Sequence, residues 1–134
     1  MIKLKILESH CLPILLYGAD CGIFDDNLVK MLNCCWNNVI RKVFGYHRWE
    51  SVKSVLCCLN KLNVHYLIGM RRIAFIKNLF VNMHICNPLR GFLVKYIHSN
   101  EFQSLLHKFN VDFNLSFSDI KKSFHDSFKT TCLL

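Results

Sequence analysis

Residues 25–45 read DDNLVKMLNCCWNNVIRKVFG, and their apolar side chains recur at steps of three and four positions. Such spacing predicts an amphipathic α-helix, because it aligns these side chains along one face. The predicted apolar face comprises Leu28, Met31, Leu32, Cys35, Val39, Ile40, Val43 and Phe44. Asp25 or Asp26 is a suitable N-cap, and Gly45 stands where a left-handed residue ends many helices. The stretch therefore carries a start signal and a stop signal as well as the helical period.

Helical spacing continues on both sides of this stretch, and strand-like alternation is scarce. Further helices are predicted over residues 2–17, 50–60, 64–85, 89–98, 102–109 and 116–129. The sequence thus predicts an all-α fold, a small irregular bundle of about five to seven helices. Its 134 residues suit one hydrophobic core of modest size.

Local signals mark where several of these helices begin, bend or end. Pro13 lacks an N–H donor and is expected to kink or divide the first helix. Residues 18–22 contain two glycines and predict a turn. The Asn-Pro pair at residues 87–88 ends the helix of residues 64–85, because a residue before proline avoids the helical region. Ser116 and Asp119 have the spacing of a capping box, which opens the last helix.

The helix predicted over residues 64–85 is apolar on one side. This side comprises Tyr66, Met70, Ile73, Ile76, Phe80 and Met83. The opposite side carries Arg71, Asn78 and Asn82. We therefore expect one side of this helix to face the core and the other to face solvent.

The net charge of the chain is +8, and it is concentrated in the middle. Between residues 27 and 100 there are eleven Lys or Arg and a single acidic residue, Glu50. A basic block of this kind is the electrostatic footprint expected for a polyanion partner, which predicts contact with the backbone of RNA or DNA. The alternative is that this charge only keeps the chain in solution.

The predicted nucleic-acid-binding residues are cations that lie near aromatic side chains. They are Arg41, Lys42, Arg48, Arg71, Arg72 and Lys77. Tyr46, His47 and Trp49 surround Arg48, and exposed rings can stack on bases while cations bind phosphates. There are structural alternatives. Arg41 and Lys42 fall in the last turn of a helix, where the dipole favours cations, and Tyr46, Trp36 and Trp49 are of types common in cores and hinges.

The sequence offers no catalytic constellation. Asp25 and Asp26 follow a phenylalanine, as do the aspartate pairs that hold metal ions in polymerases. Here the pair opens a helix, so a capping role explains both residues. The seven histidines are scattered, and neither a glycine-rich phosphate loop nor a nucleophile elbow occurs. We predict no enzyme activity, no cofactor, no metal site and no small-molecule substrate.

The eight cysteines do not form a disulfide framework. Two pairs are adjacent, at residues 34–35 and 57–58, and no CxxC spacing occurs. His84 and Cys86 are the nearest approach to a ligand pair, and no second pair accompanies them. We interpret the cysteines as small buried hydrophobic residues of a reducing compartment, which predicts an intracellular location, cytoplasmic or nuclear. No membrane partner is predicted, because the apolar run of residues 11–17 is too short to span a bilayer.

Four strings of sequence occur in an order found in a known family. Residues 2–20, IKLKILESHCLPILLYGAD, lead through lysines and leucines to a proline, an apolar run and Tyr-Gly. Residues 32–45, LNCCWNNVIRKVFG, are followed by WESV at residues 49–52 and RRIAF at residues 71–75. In this order the strings resemble the helices that follow the palm in reverse transcriptases of non-LTR (LINE-like) retrotransposons. The resemblance departs from the family after Ala19, where Asp-Cys-Gly-Ile stands in place of a region that usually carries a tryptophan.

The resemblance implies that residues 1–85 are a thumb-like helical region and residues 86–134 a C-terminal helical extension of unknown role. It places the catalytic aspartates of the polymerase upstream of Met1, so this chain is expected to be a non-catalytic fragment of an RNA-directed DNA polymerase. A thumb of that family grips the template–primer duplex through its backbone. Its other implied partner is the missing palm, without which the bundle would be incomplete.

Two other readings compete with this one. The apolar fraction of 52% exceeds what a chain of 134 residues easily buries, which favours a helical module that binds another protein surface. The remaining alternative is an orphan open reading frame without a selected function.

Overall fold

A computed structural model describes residues 2–19, 24–82 and 89–133, and within these ranges all regular structure is helical. The elements are α1 (Ile2–Ile6), a π-helical turn (Leu7–Cys11), α2 (Leu12–Leu15), α3 (Asp26–Phe44), α4 (Lys53–Cys58), α5 (Val64–Asn82), α6 (Leu89–Ile97), α7 (Asn100–Phe109) and α8 (Phe117–Leu133). The first three segments are continuous and form one helix with a π-helical interruption. The prediction of a small all-α bundle is confirmed.

Helix α5 is the centre of the bundle. It packs against α3, α6, α7 and α8, and its fully buried residues are Val64, Ile68, Gly69 and Ile73. Because neighbours cover it from several directions, α5 is apolar around most of its circumference. Arg71 was predicted to face solvent and is half-buried instead, whereas Asn78 and Asn82 are exposed. The predicted end of this helix, including Met83 and the Asn-Pro pair, lies outside the described residues.

An aromatic cluster joins α5 to the last two helices. Phe109 of α7 and Phe124 of α8 pack with their ring centroids 4.8 Å apart. The ring of Tyr66 on α5 lies 5.2 Å from Phe109 and 5.2 Å from Phe128. One core therefore includes residues on both sides of the predicted boundary at residues 85 and 86, a boundary that itself lies outside the described residues.

Helix α3 begins and ends where the sequence predicts. Asp25 is its N-cap residue and its carbonyl accepts the N–H of Val29 at 3.0 Å, although its side chain makes no capping hydrogen bond. Gly45 has φ of 72°, in the left-handed region, and the N–H of Tyr46 reaches the carbonyl of Arg41 at 2.9 Å. This pattern closes the helix in the manner of a Schellman motif. The predicted cap of α8 is confirmed, because the N–H of Asp119 donates to Ser116 Oγ at 3.2 Å.

The predicted apolar face of α3 is partly wrong. The buried residues of this helix are Trp36 and Ile40, and Trp36 was absent from the predicted face. Met31 is 57% exposed, and Cys35 and Phe44 are exposed as well. The apolar arc of α3 is wider than one neighbouring helix covers, so periodicity alone could not locate its buried centre.

The interpretation of the cysteines as buried hydrophobic residues is wrong for most of those described. Cys11, Cys34, Cys35 and Cys58 are exposed, and Cys57 and Cys132 are half-buried. On α3 the adjacent pair points away from Trp36 and Ile40, because neighbouring residues on a helix are about 100° apart. His84 and Cys86, the nearest approach to a ligand pair in the sequence, lie outside the described residues.

The helix that contains Pro13 changes its hydrogen-bonding pattern immediately before the proline. The π-helical turn occupies Leu7–Cys11, and Pro13 lies in the first turn of α2. A proline cannot donate the hydrogen bond that a continuous α-helix requires, and a π-helical turn is one way to absorb the defect. The structure therefore shows a change of hydrogen-bonding pattern at the predicted place, while the helix itself stays continuous and is not divided. The turn predicted over residues 18–22 is seen at Gly18, with φ of 74°, while residues 20–22 are outside the described ranges.

His65 of α5 is half-buried beside Phe109 of α7. Its ring centroid is 5.4 Å from that of Phe109 and 5.9 Å from that of Tyr66. Burial lowers the pKa of His65 below its ordinary value, Lys108 lowers it further, and Asp26 opposes the shift. The fold therefore holds this imidazole in its neutral form to a lower pH than the unfolded chain does.

We expect the free energy of unfolding to fall as the pH drops below about 6.5, the ordinary pKa of histidine. In that range the unfolded chain takes up a proton that folded His65 resists, so acid favours unfolding. Urea unfolding at pH 7.5 and 5.5 measures the effect, and His65→Gln should reduce the difference between the two. His107→Gln, at an exposed position on α7, is the control. An unchanged pH dependence in His65→Gln would contradict this assignment.

Candidate nucleic-acid interface

The segment of residues 45–52, here called the α3–α4 turn, is held in one shape by hydrogen bonds around Glu50. Arg41 Nε donates to the carbonyl of Glu50 at 3.0 Å. The N–H of His47 donates to Glu50 Oε2 at 2.5 Å, and the N–H of Glu50 donates back to the carbonyl of His47 at 3.1 Å. Arg41 also donates to Asn38 Oδ1 at 3.0 Å. These bonds tie the turn to the end of α3.

The same turn presents a flat aromatic surface. The rings of His47 and Trp49 are stacked, with centroids 5.0 Å apart and planes within 2° of parallel. Trp49 is 83% exposed, and His47 and Tyr46 are exposed beside it. A large indole left in water is unusual for a side chain that normally packs or binds. Its geometry suits stacking against another planar group, such as a nucleobase.

Several cations lie next to this turn along the chain or near the end of α3. Lys42 on α3 and Arg48 in the turn are exposed, and neither has a hydrogen-bond or salt-bridge partner among the described residues. Lys53 is the first residue of α4 and is also exposed. Lys3 of α1 lines a shallow pocket with Val43 and Phe44 at the end of α3. Apart from Glu50, whose carboxylate already accepts the N–H of His47, the turn itself has no acidic residue.

Three of the predicted binding cations make hydrogen bonds within the fold, namely Arg41, Arg72 and Lys77. Arg41 binds the α3–α4 turn. Arg72 donates to the hydroxyl of Tyr96 on α6 at 3.5 Å, a long hydrogen bond.

Lys77 is the most firmly held of these cations. Its ammonium donates to the carbonyl of Phe113 at 2.8 Å and to the carbonyl of Leu115. It also lies 5.6 Å and 5.7 Å from the ring centroids of Phe113 and Phe117, within the range of a cation–π contact. Lys77 therefore fastens the segment between α7 and α8 to α5.

Arg71 differs from its neighbours. It is half-buried on α5 and has no hydrogen-bond or salt-bridge partner within the described ranges. Of the six predicted cations, Arg48 lies in the α3–α4 turn and Lys42 lies at the end of α3, and neither side chain makes a hydrogen bond or salt bridge among the described residues. Arg41 also lies at the end of α3, and its side chain binds the turn. Arg71, Arg72 and Lys77 lie on α5, a different element.

Two further cations near the α3–α4 turn or the end of α3 were not among the predicted binding residues. Lys53 follows the turn directly, and its nearness to Trp49 in sequence was a usable signal. Lys3 is separated from Phe44 by some forty residues of chain, so no local pattern links them. The organising role of Glu50 was missed as well, because it depends on a main-chain geometry that composition does not reveal.

Other chemistries find little support in the described part of the chain. No group of three or more His, Cys, Asp or Glu there is arranged to hold a metal ion. Asp25 and Asp26 are exposed at the start of α3. Among these same residues, no helix is long and apolar enough to cross a membrane.

Comparison of the chain with protein-family models, with curated proteins and with solved structures finds no match. The family resemblance described above therefore rests on the order of its sequence strings.

Proposed function

We propose that this chain is a non-catalytic C-terminal fragment of a retrotransposon RNA-directed DNA polymerase that binds template–primer nucleic acid without reading its sequence. The observation that carries the proposal is the α3–α4 turn, which combines an exposed His47–Trp49 stack with the free cations Lys42 and Arg48. The order of the family-like strings and the basic centre of the chain also support it.

The chemistry of the turn suits a partner with both phosphates and accessible bases. Each phosphate that a Lys or Arg neutralises releases condensed counterions, which makes binding salt-dependent. An aromatic ring stacked on an unpaired base contributes about 1–3 kcal/mol and tolerates any base. Because Arg41 and Glu50 hold the turn in shape before binding, little ordering entropy opposes the contact. A primer–template with a single-stranded overhang offers both kinds of group.

We expect the chain to bind such a primer–template with an affinity that falls steeply between about 50 and 200 mM salt. The double variant Lys42→Ala/Arg48→Ala should weaken binding and reduce the magnitude of the slope of log K against log salt by about 2 units. Trp49→Ala should weaken binding about tenfold without changing that slope, since stacking releases no counterions. Fluorescence anisotropy of a labelled primer–template measures both quantities.

The matched control is Lys121→Ala/Lys122→Ala, which removes two exposed cations from α8 and changes the net charge equally. If this control loses as much affinity as the double variant in the turn, the nucleic acid is attracted by the net charge of the whole chain, and the turn is not the binding site. Absence of binding at 50 mM salt would overturn the proposal altogether. Quenching of tryptophan fluorescence on binding adds a direct readout, because Trp36 is buried and Trp49 is exposed.

A second candidate function, a helical module that binds another protein surface, is favoured by the first helix. Ile14 on α2 is 78% exposed, Ile2 and Ile6 on α1 are exposed as well, and Tyr17 in the turn after α2 is 89% exposed. An apolar row of this kind fits a covering surface, which in an intact polymerase would be the palm. A monodisperse monomer in light scattering, without self-association at high concentration, would count against this candidate. Binding of nucleic acid by the same preparation would then favour the first.

A further inference from the structure

Cys57 lies on α4 and Cys132 on α8, two helices that pack against each other, although 74 residues separate the two cysteines along the chain. The thiol of Cys132 donates to the carbonyl of Lys53 at 3.8 Å. Lys53 and Cys57 are four residues apart on α4, so they lie on the same face one turn apart. Both cysteines are half-buried, and Cys132 packs against the edge of the core. This geometry brings the two sulfurs to the same side of the α4–α8 contact.

The electrostatic surroundings of Cys132 agree with a thiol of Cys57 close by. Burial raises the pKa of Cys132, and Cys57 raises it further through its charge and through a side-chain hydrogen bond. Lys53 acts in the opposite direction. The neighbouring Cys58 is exposed and about 100° around the helix from Cys57, so it points away from α8.

We propose that Cys57 and Cys132 form an oxidation site, which closes to an intramolecular disulfide when the chain meets a low-molecular-weight disulfide such as oxidised glutathione. The bond would fasten the end of α8 to α4, the helix that follows the α3–α4 turn. Because it joins positions far apart in sequence, it restricts the unfolded chain strongly and stabilises the fold. The inference does not depend on the proposed function.

The reaction proceeds by two thiol–disulfide exchanges. The Cys57 thiolate attacks one sulfur of oxidised glutathione, which breaks that disulfide, forms a mixed disulfide and releases one glutathione. Cys132 then loses its proton to solvent and attacks the Cys57 sulfur, which expels the second glutathione. Two protein thiols are oxidised and one glutathione disulfide is reduced to two thiols. The second step should become faster as the pH rises, because the raised pKa of Cys132 limits its thiolate fraction.

The test uses the full chain in a buffer of reduced and oxidised glutathione, followed by acid quenching, alkylation of the remaining thiols and digestion with trypsin. We expect a cross-linked product that joins residues 54–61, SVLCCLNK, to residues 130–134, TTCLL, and that is absent after reduction. The oxidised chain should also unfold at a higher urea concentration than the reduced chain. Both effects should survive Cys58→Ser and disappear in Cys57→Ser and Cys132→Ser.

The control matters because Cys57 and Cys58 occupy the same tryptic peptide. A cross-link that persists in Cys57→Ser, or that disappears in Cys58→Ser, would overturn the assignment of the pair. So would oxidation that yields only glutathione adducts or dimers linked between chains. Far-ultraviolet circular dichroism of the reduced variants checks that each has folded, since serine differs from cysteine by one atom.

Discussion

Replacing Phe124 with alanine is expected to lower the free energy of unfolding by about 4 kcal/mol. Phe124 is fully buried, and its ring lies 4.8 Å from that of Phe109 and 6.4 Å from that of Tyr66. Alanine removes the ring and leaves a cavity between α5, α7 and α8 that these helices cannot fill by small shifts. Urea unfolding followed by circular dichroism measures the loss.

The control for this substitution is Phe92→Ala on α6. Phe92 is 73% exposed, so removal of its ring should change the free energy of unfolding by less than about 0.5 kcal/mol. A chain of this size is expected to have about 5–15 kcal/mol of stability, so Phe124→Ala should remain folded in the absence of denaturant while unfolding at a much lower urea concentration. Similar losses in the two variants would mean that the aromatic cluster is not the centre of the core.

Replacing Gly69 with alanine is expected to lower the free energy of unfolding by about 2 kcal/mol. The sign is opposite to the usual one, because alanine in place of glycine inside a helix normally stabilises by up to about 1 kcal/mol. A Cβ at this position would lie 2.3 Å and 2.6 Å from two atoms of the Phe109 ring. Phe109 is buried and packs against Tyr66 and Phe124, so a shift of its ring would disturb the whole aromatic cluster.

Gly91→Ala on α6 provides the matched control. A Cβ there meets nothing within 4 Å, so this substitution should be neutral or stabilise by about 0.5–1 kcal/mol. If Gly69→Ala fails because of the Phe109 ring, then a smaller residue at position 109 should relieve part of the cost. The double variant Gly69→Ala/Phe109→Leu should accordingly lose less than the sum of the two single variants. Equal effects of the two glycine substitutions would contradict the close approach of α5 and α7.

Much of the helical layout was predictable because its causes are local. Gly45 ends α3 by its left-handed backbone, and Ser116 caps α8 through the N–H of Asp119. Each of these interactions joins residues within one turn of helix, so the sequence pattern contains both partners. The π-helical interruption before Pro13 also has a local cause, since the missing N–H of proline removes a hydrogen bond to the preceding turn of the helix.

The candidate site was predictable only in part. The sequence places Lys42, Arg48 and Trp49 close together because they are neighbours in the chain. It does not reveal that Arg41 is bound to the carbonyl of Glu50, or that Lys77 is bound to carbonyls between α7 and α8. The sequence does not show whether a Lys or Arg faces solvent or binds a loop that is distant along the chain. Only the contacts in the folded structure distinguish these two roles.

By itself the sequence determined the helical class, the basic centre and the positions of the caps, all of which follow from periodicity, composition and short-range hydrogen bonds. The tertiary structure decided which part of the broad apolar arc of α3 is buried, and it selected Trp36 while leaving Met31 exposed. It also decided that Gly69 meets Phe109, and that α4 with Cys57 packs against α8 with Cys132. These pairs are distant along the chain, and their meeting depends on how whole helices pack, a choice that no local pattern of residues records.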